Sequence, residues 1–139
     1  MSAKDIYHDL VKNALIKEGW VITHDPYYIK YEQDFRMYID LGAEKVIAAI
    51  RDNKKIAIEI KSFLDPSPIS DFHNAVGQYV NYRIALEDTE PDRELFLAVP
   101  KEVYSSFMRY TFFQKAIAKH KLKLIVFHPD KEEIQKWIN

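Results

Sequence analysis

Apolar residues fall at Ile6, Tyr7, Leu10, Val11, Ala14 and Leu15, which is one stripe of an α-helix running from Lys4 to Glu18, and Gly19 stands where such a helix stops. Trp20 to Thr23 reads as a short apolar strand. His24-Asp25-Pro26 breaks it, since a residue before proline is driven into extended geometry. A tyrosine-rich loop is expected next. Met37 to Leu41 and Lys45 to Arg51 carry strand patterns, Asp52-Asn53-Lys54 reads as a turn, and Ile56 to Phe63 completes a meander.

Asp65-Pro66-Ser67-Pro68 forms a rigid loop, after which Ser70 can cap a helix running to about Glu87, with the stripe Phe72, Ala75, Val76, Tyr79, Val80 and Leu86. Glu94 to Val99 is a continuous apolar run ended by Pro100, the pattern of a strand covered on both faces near a sheet centre. A helix is expected from Lys101 to about Lys119, a buried strand from Leu122 to Phe127, and a short terminal helix or strand from Lys131 to Asn139. The order is α-β-β-β-α-β-α-β. A meander followed by alternation with helices demands crossover connections, so the expected class is α/β, a mixed sheet flanked by helices.

Within Lys55 to Phe63, strand alternation sends Ile56, Ile58 and Ile60 to one face and Glu59 and Lys61 to the other. If Asp40 ends a neighbouring strand on that face, two carboxylates converge beside an ammonium. Hydrolysis of a phosphodiester needs carboxylates to hold Mg²⁺ and a group to position the attacking water, and Asp40, Glu59 and Lys61 supply those groups. The competing account of Glu59-x-Lys61 alone is a solvated strand face with weak cross-strand ion pairs. What favours the site is the sequence order: an aspartate-ending strand, then the most apolar strand of the meander, then a helix. Gln78, with Asn74, Asn81 and Tyr82 at helical spacings, gives the second helix a polar patch able to contact phosphate or order water, or else an exposed flank. Gly77 in mid-helix suggests close packing. On the first helix Asp5, His8, Asp9 and Lys12 share a polar face, from which His8 or Asp9 adds a ligand only if that face borders the site.

Other chemistries find little support. His24, His73, His120 and His128 lack zinc-ligand spacing, no serine sits in a nucleophile elbow, and three glycines build neither a Rossmann nor a P-loop fingerprint. The basic run Lys115, Lys119, His120, Lys121 and Lys123 fits a helix dipole as well as a DNA backbone. The 139 residues suit one domain spanning 1–139, and 47% hydrophobic content suffices for a core. The absence of cysteine excludes disulfides and thiolate metal sites, and no segment approaches a membrane span, so a cytoplasmic protein is expected. A net charge of −1 weighs against a domain that grips nucleic acid by charge alone, and less against an enzyme whose acidic cluster is offset by a bound ion.

Asp40 with Glu59-x-Lys61 on this frame resembles the PD-(D/E)xK restriction endonuclease-like superfamily, which includes Holliday-junction resolvases. Beyond that core, Val11-Lys12-Asn13-Ala14-Leu15-Ile16-Lys17, Thr23-His24-Asp25-Pro26, Asp40-Leu41-Gly42-Ala43-Glu44-Lys45, Ile58-Glu59-Ile60-Lys61-Ser62-Phe63 and Gly77-Gln78-Tyr79 resemble the XisH family, the cyanobacterial fdxN-element excision controlling factors. That resemblance implies a role in developmentally programmed excision of a DNA element, alongside a site-specific recombinase and a small XisI-type partner protein, with a homodimer plausible for duplex cutting. By superfamily analogy Asp40 and Glu59 bind Mg²⁺ or Mn²⁺, Lys61 orients water or stabilises charge, and Gln78 supports them. Ile39-Asp40 replaces the namesake Pro-Asp, and His8-Asp9 stands where related resolvases place a glutamate, which makes Asp9 the candidate further ligand. The alternative function is a non-catalytic regulator of the recombinase that keeps the nuclease fold.

Overall fold

A computed structural model of the protein describes residues 3–32, 35–46, 53–64 and 66–139. Helix α1 (Ala3–Lys17) is followed by strands β1 (Val21–His24), β2 (Tyr27–Glu32), β3 (Phe35–Ile39), β4 (Leu41–Val46) and β5 (Asn53–Ile60). Helix α2 (Pro68–Thr89), β6 (Arg93–Pro100), α3 (Lys101–Ser105), a 3₁₀ turn (Phe107–Arg109), α4 (Thr111–Lys119), β7 (Leu124–His128) and β8 (Glu133–Ile138) complete the chain. Six strands form a mixed sheet in the order β1-β4-β5-β6-β7-β8, and β2 pairs with β3 in a separate ribbon. Strands β5, β6 and β7 run parallel while the outer pairs are antiparallel, as the α/β expectation requires.

The sheet has a core on each face. Val11 and Leu15 of α1 are fully buried against Ile56, Ile58, Phe96 and Phe127 on one side, each such side chain contributing about 1.5–3 kcal/mol. On the other side Phe72, Ala75 and Tyr79 of α2 pack with Ala57, Leu95, Leu97 and the inner side of the ribbon. This partition places Glu59, the neighbour of Ile58 and Ile60, on the α2 face. Among the described residues no helix is long and apolar enough to cross a membrane.

Several local expectations are corrected. The tyrosine-rich segment is strand β2 rather than a loop, because Tyr27 and Ile29 alternate inward while Tyr28 and Lys30 face out. The single strand expected over Met37 to Leu41 is two strands jointed at Asp40, and the next strand occupies Leu41–Val46. The remainder of the strand expected to Arg51, the start of the turn at Asp52, and Asp65 lie outside the described residues. Helix α2 is capped by Ser67 rather than Ser70, with Pro68 preset for the first turn. The helix expected over Lys101 to Lys119 breaks at Ser105-Ser106, whose hydroxyls bond back to the Glu102 carbonyl while Met108 turns fully inward. Gly77 does not pack closely: a Cβ there would meet nothing within 4 Å. The C-terminal segment, expected as a helix or a strand, is strand β8.

Candidate functional site

Strands β4 and β5 pair in register until Leu41 faces Ile58. One residue further, side chains replace the backbone ladder. The Asp40 amide donates to Glu59 Oε1 at 3.3 Å, and the Ile60 amide donates to Asp40 Oδ2 at 2.7 Å. Each carboxylate thus takes a main-chain donor left over where the strands part, which fixes both at the seam. Lys61, the first residue beyond β5, places Nζ 3.6 Å from Glu59 Oε2. The three residues singled out in the sequence therefore meet, although Asp40 belongs to a joint and not to a strand interior.

The electrostatics of the seam are unbalanced. Glu59 is only 6% exposed. Burial, and next the neighbouring Asp40 charge, push its carboxyl up to about 8, with Lys61 opposing them incompletely. Tyr82 on α2 is raised to about 12 by burial and by the charges of Glu59 and Asp40. Near neutrality Glu59 therefore retains a proton, and a bound cation would take that proton's place.

A cleft of about 250 Å³ opens at the carboxyl end of β5, walled by Tyr7 and His8 of α1, Asp40, Lys61, Phe63, and Asp71 and Asn74 of α2. Ligands of open α/β sheets bind at such strand ends. Phe63 holds φ at +56°, a left-handed conformation costly for a bulky residue, where the chain leaves Lys61 along the cleft wall. Across the cleft, His8 Nε2 lies 2.7 Å from Asp25 Oδ1, and Lys12 Nζ lies 2.8 Å from Asp25 Oδ2. Burial pushes the Asp25 carboxyl up, and the bonds from Lys12 and His8 outweigh it and hold it low. The structure puts His8 on the cleft wall and leaves Asp9 exposed to solvent beside it. The side chain of Asp5 lies outside the described residues.

Gln78 sits one helical turn after Asn74 and one before Tyr82, hence on the same side of α2. Its Oε1 is buried and accepts no hydrogen bond from the described residues. Such a buried acceptor calls for a donor that the described residues do not supply, such as a water. Two convergent carboxylates suit a hard divalent cation. No cluster of three His, Cys, Asp or Glu side chains able to hold a metal occurs among the described residues. Sequence reasoning missed Asp25 and Phe63. Asp25 gave no local signal because its partners lie 17 and 13 positions away.

A family model described as XisH protein matches residues 1–135. Two solved structures resemble the chain over nearly its whole length. The crystal structure of an XisH family protein from Nostoc punctiforme PCC 73102 is 40% identical, covering 96% of this chain and 99% of that one, with a TM-score of 0.88. That of an fdxN element excision controlling factor protein from Anabaena variabilis is 43% identical, covering 97% and 99%, with a TM-score of 0.87. No curated protein matches the chain.

Proposed function

The chain belongs to the XisH family, and from that premise we propose that it acts on DNA in the controlled excision of a DNA element, as a Mg²⁺-dependent nuclease of PD-(D/E)xK type. The name of the Anabaena variabilis relative, an excision controlling factor, supports the process. The observation that carries the chemistry is the pair of buried Glu59 and half-buried Asp40, joined by backbone hydrogen bonds and short of positive charge.

Asp40 and Glu59 would hold the ion, with Mn²⁺ as the accepted substitute. When bound, it polarises a phosphate oxygen and makes a water nucleophilic near neutral pH. Lys61 offers a fixed ammonium toward charge developing on the phosphate, Gln78 Oε1 accepts a hydrogen bond that orders water, and Asp25 fixes the His8 ring on the cleft wall. The near-zero net charge favours a second reading, a non-catalytic regulator that retains this frame and acts through a recombinase and a small XisI-type partner.

Calorimetric titration of Mn²⁺ at pH 8, with and without DNA, separates the two. Wild-type protein is expected to bind, and Asp40→Asn and Glu59→Gln to lose at least about tenfold in affinity while circular dichroism shows both folded. A wild type that takes no Mn²⁺ in either condition would leave the regulator as the reading.

A further inference from the structure

The ribbon of β2 and β3 has two unlike faces. Tyr27, Ile29 and Ile39 turn inward and are buried in the core beneath α2. Tyr28, Lys30, Arg36 and Tyr38 turn outward, with Tyr28 directly opposite Tyr38 and Lys30 opposite Arg36. The two rings lie 5.1 Å apart at a tilt of 41° and remain 44% and 55% exposed.

A cross-strand aromatic pair is by itself a hairpin stabiliser, so the tyrosines alone point to no ligand. The adjoining pair is different. Like charges directly opposite each other destabilise a ribbon, and neither Lys30 nor Arg36 meets a carboxylate among the described residues. An anion lying across the ribbon would turn that repulsion into attraction. Ring faces beside cations that meet no carboxylate among the described residues are the combination that stacks bases and neutralises the phosphates between them. The outward rings can stack only on bases that are not already stacked in a duplex, which favours a single strand.

We propose that the outer face of the β2–β3 ribbon is a platform for single-stranded nucleic acid, with Tyr28 and Tyr38 stacking on bases and Lys30 and Arg36 meeting phosphates. This deepens the DNA-acting reading, on which the choice of ligand rests. Strand β3 runs directly into Asp40, so Arg36 lies four residues, about 13 Å of extended chain, from the carboxylate seam. A strand held on the platform is thereby led toward the cleft.

The test is fluorescence anisotropy with a labelled oligothymidylate and the corresponding duplex, in EDTA so that no metal takes part. The single strand is expected to bind more tightly than the duplex. Tyr28→Ala with Tyr38→Ala should weaken that binding about tenfold or more. Because the tyrosine variant also removes a stabilising cross-strand ring pair, Lys30→Gln with Arg36→Gln is the second arm. It should leave Tm unchanged or raised, weaken binding, and reduce the salt slope by roughly one to two. Wild-type protein that binds neither probe, duplex binding equal to or tighter than single-strand binding, or ribbon variants that bind like wild type would each overturn the proposal. Ribbon variants that lose the strand but take Mn²⁺ as wild type does support it. Strand binding in a wild type that takes no Mn²⁺ also supports it, and overturns the metal reading alone.

Discussion

Strand β5 has an acidic group at each end, and the two are treated in opposite ways. At its start, Arg93, its side chain 1% exposed, donates to the Ile56 carbonyl at 2.8 Å and to Glu90 at 3.0 and 3.2 Å, and lies 4.7 Å from the centre of the Tyr27 ring. Tyr27 donates its hydroxyl to Glu90, and Lys55 Nζ stands 3.4 Å away. Burial works to raise the Glu90 carboxyl, but the bonds from Arg93 and Tyr27, with the nearby positive charge, hold it down at about 2. Burial and the bond to Glu90 push the Tyr27 phenol up to about 12. At the far end Glu59 has Lys61 and the Asp40 amide against both desolvation and the Asp40 charge, and rises to about 8. One end is matched by its own cations; at the other a single lysine falls short. The first is a closed structural joint, whereas the second is left short of positive charge, which under the proposed function a bound cation would supply.

Removing the guanidinium tests the closed end with the largest expected effect. Arg93→Ala strands Glu90 and two strand carbonyls, and a loss of about 3 kcal/mol is expected in urea unfolding, with Mn²⁺ affinity unchanged. If stability barely moves, the joint is not what its geometry implies. The open end should respond with the opposite sign. The Glu59 carboxyl lies above its unfolded value, so its contribution is fully present below about pH 4.5 and fades as pH rises through about 8. Glu59→Gln should therefore match wild type near pH 4 and exceed it by on the order of 1–3 kcal/mol at pH 9, read from unfolding midpoints across pH. The same proton must leave when metal binds, so Mn²⁺ affinity should rise by up to roughly tenfold per pH unit below pH 8 and then level off. The smallest effect lies away from both ends. Gly77→Ala, where the added methyl meets open space, should raise stability by about 0.5–1 kcal/mol in thermal unfolding and leave both sites untouched.

The open end was legible in the chain because strand alternation is local. Glu59 and Lys61 share a face whatever surrounds them, and an aspartate closing the preceding apolar segment suffices to suggest the meeting. The closed end was not. Arg93 reaches the carbonyls of Ala43 and Ile56, 50 and 37 positions away, through a register that only the assembled sheet sets. The ribbon was hidden by Pro26 and by tyrosines read as loop residues, although Tyr27 and Ile29 alternate as a half-buried strand does. The long helix after Pro100 failed as an expectation because hydroxyl bonds at Ser105 and Ser106 offset helical periodicity, which pattern alone cannot weigh.

Gly42 pairs with His24 at the irregular edge of β1, and a Cβ there would meet Tyr27 Cδ2 at 2.8 Å and His24 Nδ1 at 3.0 Å. The His24 and Tyr27 rings lie 4.7 Å apart, centre to centre, and together close over that position. The site aspartate therefore carries a spelling rule with it. A chain that keeps this packing must write glycine two places after the acid, as in Asp40-Leu41-Gly42, and a sequence with any larger residue there has rebuilt the joint between ribbon and sheet.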